Sequence, residues 1–266
     1  SQSNQTKRVT APELEKIIYE ALPALDHGFV RVVDYMGDDS SIVQSARVSY
    51  GKGTSKLSQD RGLIRYLMRH RHTTPFEMVE FKFHCKMPIF VARQWVRHRT
   101  ANINEYSLRY SEARDEFYFP DPNHIEFQSA VNKQGRMGEV DKKLKKKVQA
   151  YFKEISDRSF EIYSELNEAG VARELARAIL PVNLYTEWYW KNDLHNLLHF
   201  IGLRSDGHAQ YEIRVFSDAM ASYVKKVAPF AWEAYQDYVV KGMRFSKIEQ
   251  SILEQKLPKR VLSDIQ

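Results

Sequence analysis

The chain has 266 residues, with 40 Lys+Arg against 34 Asp+Glu, a formal net charge of +6. Its 43% hydrophobic and 12% aromatic content excludes disordered, collagenous and low-complexity classes, because that much apolar surface offsets chain entropy. The single cysteine, Cys85, excludes an internal disulfide framework and an all-cysteine zinc site, and it fits a reducing, cytoplasmic setting.

Ser1 to Lys7 is polar, lacks an apolar signal core, and reads as a flexible tail reaching residue 10. Thr10-Ala-Pro12-Glu13 reads as a capping box opening a helix to Leu22. Phe29 to Tyr35 is Val-rich and strand-like, Asp38 to Val48 is helical, and Ser58 caps a further helix. Val79, Phe81, Phe83 and Cys85 alternate with Glu80, Lys82, His84 and Lys86, the period of a half-buried strand. Pro88 ends that strand and suits the first turn of a helix to His98. Arg99 to Tyr110 reads as a loop or short irregular helix. Val140 to Gly170 is a long amphipathic helix, with Leu144, Val148, Tyr151, Ile155, Ile162 and Leu166 on one face and Gly170 as its C-cap. A shorter helix spans Ala172 to Leu180, and Tyr185 to Trp190 is a strand or an aromatic turn. Asp193 to Leu203, His208 to Lys226 and a stretch to Val240 are helical. With no repeat, linker or boundary visible, the expectation is one α+β domain over residues 1–266. No run approaches the ~18 apolar residues of a membrane-spanning helix, so no membrane partner is expected.

The densest chemistry lies in Gln94 to Tyr110. Arg97 and Arg99 offer planar, permanently charged forks, and His98 titrates near neutrality. A cationic helix C-terminus stabilised by the macrodipole explains Arg97 to Arg99 alone. It does not explain the ten polar-rich positions that follow. Arg173 and Arg177 are four apart on one helical face, and Glu174 can pair with either. His195 and His199 have the i, i+4 spacing of a zinc helix, but no Glu follows the first His. Cys85 sits on the apolar face of its strand, opposite His84, so no Cys-His nucleophile pair is set up.

Arg97-His98-Arg99 followed, after seven residues, by Ser107 resembles the signature of the flavin-dependent thymidylate synthases, the ThyX type. Ala46-Arg47-Val48-Ser49, His72-Thr-Thr-Pro75-Phe76-Glu77, Pro88 to Trp95, Arg173 to Arg177, Leu180 to Tyr185 and Leu203 to Gln210 extend the resemblance in order from about residue 27 to about 235. It implies a single α+β domain of that family, with a mixed sheet and several helices. It implies a homotetramer with active sites between subunits. The implied reaction makes dTMP from dUMP, with methylenetetrahydrofolate as carbon donor and NADPH as reductant through FAD. By the same resemblance, Ser49, His72, Thr73, Thr74, Glu77, Arg97, His98, Arg99, Asn104, Glu105, Asp193, His195 and His199 would contact the flavin. Gln94, Arg97, Glu105, Tyr106, Ser107, Leu108, Arg109, Arg177 and Arg204 would contact dUMP, with Ser107 and Arg109 suited to phosphate. Arg204 and His72 would be catalytic, Arg204 by favouring the N3-deprotonated uracil. Asn102 departs from the family's usual Ser, Asp193 from an Asn, and His195 and His199 from the Arg and Asn of some members. No metal is implied. Two other readings compete: a nucleic-acid-binding protein using Lys142 to Lys147, and a zinc hydrolase using His195 and His199. The first is disfavoured because no aromatics interleave with the basic run.

Overall fold

A computed structural model describes residues 8–48, 57–131 and 135–258, with only the backbone of Leu57 and Ser58. The α+β expectation holds. The elements run α1 (Pro12–Glu15), β1 (Leu22–Ala24), β2 (Gly28–Met36), α2 (Asp39–Ala46), α3 (Leu57–Arg69), a 3-10 turn (Thr74–Met78), β3 (Glu80–Pro88) and α4 (Ile89–Trp95). Then come β4 (Asn102–Glu105), β5 (Glu126–Gln128), β6 (Arg136–Glu139), α5 (Lys142–Glu168), α6 (Arg173–Ala176), β7 (Tyr185–Asp193), α7 (Leu194–Arg204), α8 (Tyr211–Val227), α9 (Pro229–Tyr235) and α10 (Lys247–Lys256).

Five strands form a sheet in the order β1-β2-β3-β7-β4. Its pairings all run antiparallel, so the sheet mixes early and late strands but not directions. The period of two decides which face is wet. Val30, Val32, Phe81, Phe83, Cys85, Met87 and Trp190 are fully buried on the inner face, against α7 and α8. Arg31, His84, Glu187 and Tyr189 form the opposite face, where Arg31 donates to His84 and His84 meets Glu187 at 2.9 Å. Trp95 locks α4 to this core, stacking on Phe200 at 5.1 Å and meeting Trp188 edge-on at 5.3 Å. Burying such aromatics supplies much of the core's apolar free energy.

Several expected elements are corrected. The first helix is one turn, capped by Ala11 without a side-chain bond from Thr10. It stops short of Leu22 because Tyr19 turns left-handed (φ 68) and donates its N–H to Val32 O at 2.9 Å, which lets β1 pair with β2. Ser58 lies inside α3, not ahead of it. The helix expected from Asp38 to Val48 is α2, with Asp38 as its N-cap in a capping box. Gly170 ends α5 at φ 78, the left-handed C-cap geometry. The apolar stripe of α5 is only partly covered: Leu144, Tyr151 and Ile155 remain 37%, 52% and 58% exposed. Of the expected tail, residues 1–7 lie outside the described set, and Val9 is exposed. Among the described residues, no helix is long and apolar enough to cross a membrane.

Candidate active site

Pro88 caps α4 and frees its first turn to bond sideways. Ile89 and Phe90 donate their N–H groups to Leu184 and Val182 carbonyls at 2.9 Å each. Trp95 is buried, so the residues after it emerge at the surface. Arg97 and Arg99 are exposed, and neither guanidinium makes an ion pair or side-chain hydrogen bond among the described residues. The chain then returns along the sheet edge. Within Arg99 to Tyr110, expected as a loop or short irregular helix, lies the strand β4, pairing Asn102 with Lys191 and Glu105 with Trp188. All four of its residues are exposed, so no apolar alternation announces it. Thr186 donates to Glu105 at 2.8 Å, and Tyr106 N–H donates to Glu187 O at 2.8 Å. Beyond it, Tyr110 N–H donates to Ser107 O at 3.2 Å, which closes a turn holding Ser107, Leu108 and Arg109. Arg109 pairs with Glu174 at 3.4 Å, and Arg173 donates to Tyr110 O and Glu112. Glu174 therefore serves the phosphate-suited loop, not Arg173 or Arg177 on its own segment. Arg177 is half-buried and makes no ion pair among the described residues.

A second group gathers under α7. His72, Thr73, His195 and His199 line a cleft of about 1040 Å³, with Arg71, Lys225, Trp232 and Tyr238 on its walls. Thr74 and Glu77 lie on the 3-10 turn that packs against α7. Asp193 plays a structural part. It caps α7, accepting from Asn196 N–H at 2.9 Å and from the Asn196 amide at 2.7 Å.

His98 joins the two groups. Arg204 Nε donates to His98 Nε2 at 3.0 Å. A guanidinium has no acceptor, so Nε2 is unprotonated and the ring is the neutral Nδ1–H tautomer. Burial, then the charges of Arg204 and His199, push the His98 pKa down to about 4. Arg204 is itself lowered by burial, yet an arginine stays charged. The result is a half-buried cation with no carboxylate on it among the described residues. Cys85 is wholly buried in the sheet, and burial raises its thiol well above the ordinary range.

One chain does not place all the expected residues in one cavity. Asn104 lines a different hollow of about 1440 Å³ on the outer sheet face, with Arg31, Lys82, Asn102 and Tyr189. Ser49 lies outside the described residues. Gln94 donates to Gln210, a partner absent from the expected set. Among the described residues no cluster of three His, Cys, Asp or Glu could hold a metal ion, so His195 and His199 have no third ligand.

Exposed Arg97 and Arg99 and the half-buried Arg204 carry no carboxylate among the described residues, an arrangement suited to an enzyme that binds anions, and the single cysteine is buried. Residues 31–230 match the family described as thymidylate synthase complementing protein. The chain is 57% identical over 257 residues to the flavin-dependent thymidylate synthase of Rickettsia prowazekii (strain Madrid E), covering 92% of this chain and 87% of that one. It is 54% identical over 253 residues to the enzyme of the same name from Ehrlichia ruminantium (strain Gardel), covering 95% and 85%. A crystal structure of a UMP/dUMP methylase, PolB from Streptomyces cacaoi bound with 5-Br dUMP, superposes with a TM-score of 0.73 at 32% identity, over 81% of this chain and 97% of that one. The chain belongs to the thymidylate synthase complementing protein family.

Proposed function

We propose that the chain converts dUMP to dTMP as a flavin-dependent thymidylate synthase. The observation that carries the reading is Arg204: a half-buried guanidinium whose one polar contact among the described residues is a neutral imidazole. Such a cation stabilises negative charge developing on a neighbouring uracil ring, and an N3-deprotonated uracil is more nucleophilic at C5. His98 holds the guanidinium in place without neutralising it. Ser107 and Arg109 bind the phosphate, and Arg177 adds a second fork. Gln94, Arg97, Glu105, Tyr106 and Leu108 complete the nucleotide contacts.

The donor set fits FAD. Unpaired Arg97 and Arg99 suit a pyrophosphate, and the cleft of His72, Thr73, His195 and His199 has the aromatic walls an isoalloxazine needs. Thr74, Glu77, Asn104, Glu105, Ser49 and Asp193 stand as further flavin contacts, and His72 as the second catalytic group. Reduced FAD, when bound, supplies a hydride, NADPH renews it, and methylenetetrahydrofolate supplies the carbon. The protein binds and orients, so no cysteine nucleophile is required.

The division of these residues between two hollows supports a homotetramer with sites shared between subunits. The uncovered apolar residues of α5 support it too. We infer one domain over residues 1–266, supported by a buried cluster that packs residues between Ala11 and Trp95 against residues between Trp188 and Tyr235, and a cytoplasmic setting. The purified protein should be yellow, release FAD, and methylate dUMP with methylenetetrahydrofolate and NADPH. A colourless protein inactive after FAD addition would overturn the reading. Light scattering should give four chains per particle; a monomer would remove the shared-site proposal.

A further inference from the structure

α3 ends in a Schellman turn with an arginine where glycine is favoured. His72 N–H donates to Leu67 O at 2.9 Å, and Arg71 N–H donates to Met68 O at 3.2 Å. Arg71 takes the left-handed conformation that this turn requires, φ 56. A side chain there costs stability that glycine would not, so the arginine calls for a use. Arg71 lines the cleft of His72, His195 and His199, and its guanidinium makes no ion pair or hydrogen bond among the described residues.

Two more cations share that cleft. Lys225 on α8 stands 4.9 Å from the Trp232 ring, and Arg244 lies on the segment after α9. Neither makes an ion pair among the described residues. Of the acidic residues on the walls, Asp206 is held by His208 at 2.8 Å, and Asp218 lies about two helical turns before Lys225. The walls also carry Tyr235, 2% exposed, whose hydroxyl has no hydrogen-bond partner among the described residues. Gly202 makes room for it, since a Cβ there would lie 2.8 Å from that hydroxyl. Burial pushes the Tyr235 pKa up to about 12, so the group stays a neutral donor. The reading above gives the FAD pyrophosphate to Arg97 and Arg99, which leaves these three cations and the spare hydroxyl without an assigned ligand.

We propose that Arg71, Lys225 and Arg244 bind the 2′-phosphate of NADPH and make the enzyme select NADPH over NADH. The proposal rests on the flavin reading above: the reductant must reach a flavin placed in this cleft, so its phosphate enters by the same opening. A phosphomonoester carries about −1.5 to −2 charge at neutral pH on three acceptor oxygens. Two guanidinium forks and an ammonium match that charge and those acceptors. Trp232 beside Lys225 sets a flat surface next to a cation, as adenine lies next to the 2′-phosphate. Tyr235 adds a donor one turn further along α9.

The test follows anaerobic reduction of bound FAD by NADPH and by NADH, with dUMP present, in wild type, Arg71→Gly and Lys225→Met. Wild type should need about tenfold less NADPH than NADH or better. Arg71→Gly should raise the half-saturating NADPH concentration about tenfold, the weight of one charge-assisted hydrogen bond. Its NADH value and FAD content should stay within about twofold of wild type. Its melting temperature should equal or exceed that of wild type, because glycine fits the left-handed position. Lys225→Met should shift the NADPH value in the same direction. Calorimetry on the FAD-loaded enzyme should show adenosine 2′,5′-bisphosphate weakened about tenfold by Arg71→Gly and 5′-AMP unchanged. Equal losses on NADPH and NADH, or an unchanged NADPH value in both variants, would overturn the inference. So would a loss confined to the KM of pentaglutamylated methylenetetrahydrofolate, which gives the cations to the folate tail, or loss of FAD from Arg71→Gly, which gives them to the flavin's own phosphates. A colourless wild type that stays inactive with added FAD defeats the flavin reading itself; a yellow wild type reduced equally well by both nucleotides defeats only this inference.

Discussion

Replacing Cys85 by alanine separates two ways of making thymidylate. Cys85 is wholly buried in β3, facing Val30 of β2 and Trp188 of β7 across the ladder. The substitution deletes one buried heavy atom. Loss of transfer free energy comparable to a methylene, plus the small cavity left behind, costs about 1–2 kcal/mol. For a chain of this size that corresponds to a melting temperature lower by roughly 3–6 °C. Turnover of dUMP, measured below the new melting range, should remain within about twofold of wild type, since the thiol touches no expected ligand contact. The native protein should also resist thiol reagents until unfolded, because burial both hides the sulfur and suppresses the thiolate. Loss of turnover in Cys85→Ala with FAD and dUMP still bound would refute the reasoning.

Arg204→Ala should lower kcat/KM for dUMP by about two orders of magnitude while flavin remains bound, read from steady-state kinetics and the visible spectrum; an unchanged value would remove Arg204 from the reaction. His98 titrates at about 4 in the fold against 6.5 for the free group. Its folded pKa is depressed, so between those values the unfolded chain takes up a proton that the folded one refuses. Stability should fall as pH drops from 6.5 toward 4, and His98→Asn should flatten that slope in thermal melts, whereas equal slopes would count against the assignment. Arg136→Ala leaves the buried Glu212 carboxylate without the cation that donates to both its oxygens and should cost about 3 kcal/mol or more in urea denaturation. Glu212→Ala leaves an arginine that is one-third exposed and able to reach water, so it should cost less; the reverse order would contradict the network.

The parts of the fold legible in the sequence are those whose pattern reports burial. The alternation in β3 and the apolar stripe of α5 reflect one-sided contact with the core, and Pro88 marks the boundary between β3 and α4. β4, β5 and β6 are invisible there because all their residues are exposed, so neither period has anything to act on. The site divides the same way. The family resemblance locates the arginines and histidines, and the cleft brings His72, Thr73, His195 and His199 together. Spacing does not reveal that Asp193 caps a helix or that Glu174 reaches Arg109. The buried pair of Glu212 with Arg136 does leave one trace. Glu212 stands four residues before Phe216 and eight before Met220, on the apolar face of α8. A charge at such a position implies a buried partner.

The edge strand β4 also works as a ruler. It spans four residues, about 13 Å at strand rise, between the arginines that leave α4 and the turn that holds Ser107. Its ladder with β7 sets both that distance and the alternation that sends Glu105 toward Thr186 and Asn104 to the other face. An inserted or deleted residue here would therefore exchange the two faces as well as change the span. The seven-residue interval between Arg99 and Ser107 is thus a unit of length that cannot be altered by one step, only replaced together with its whole register.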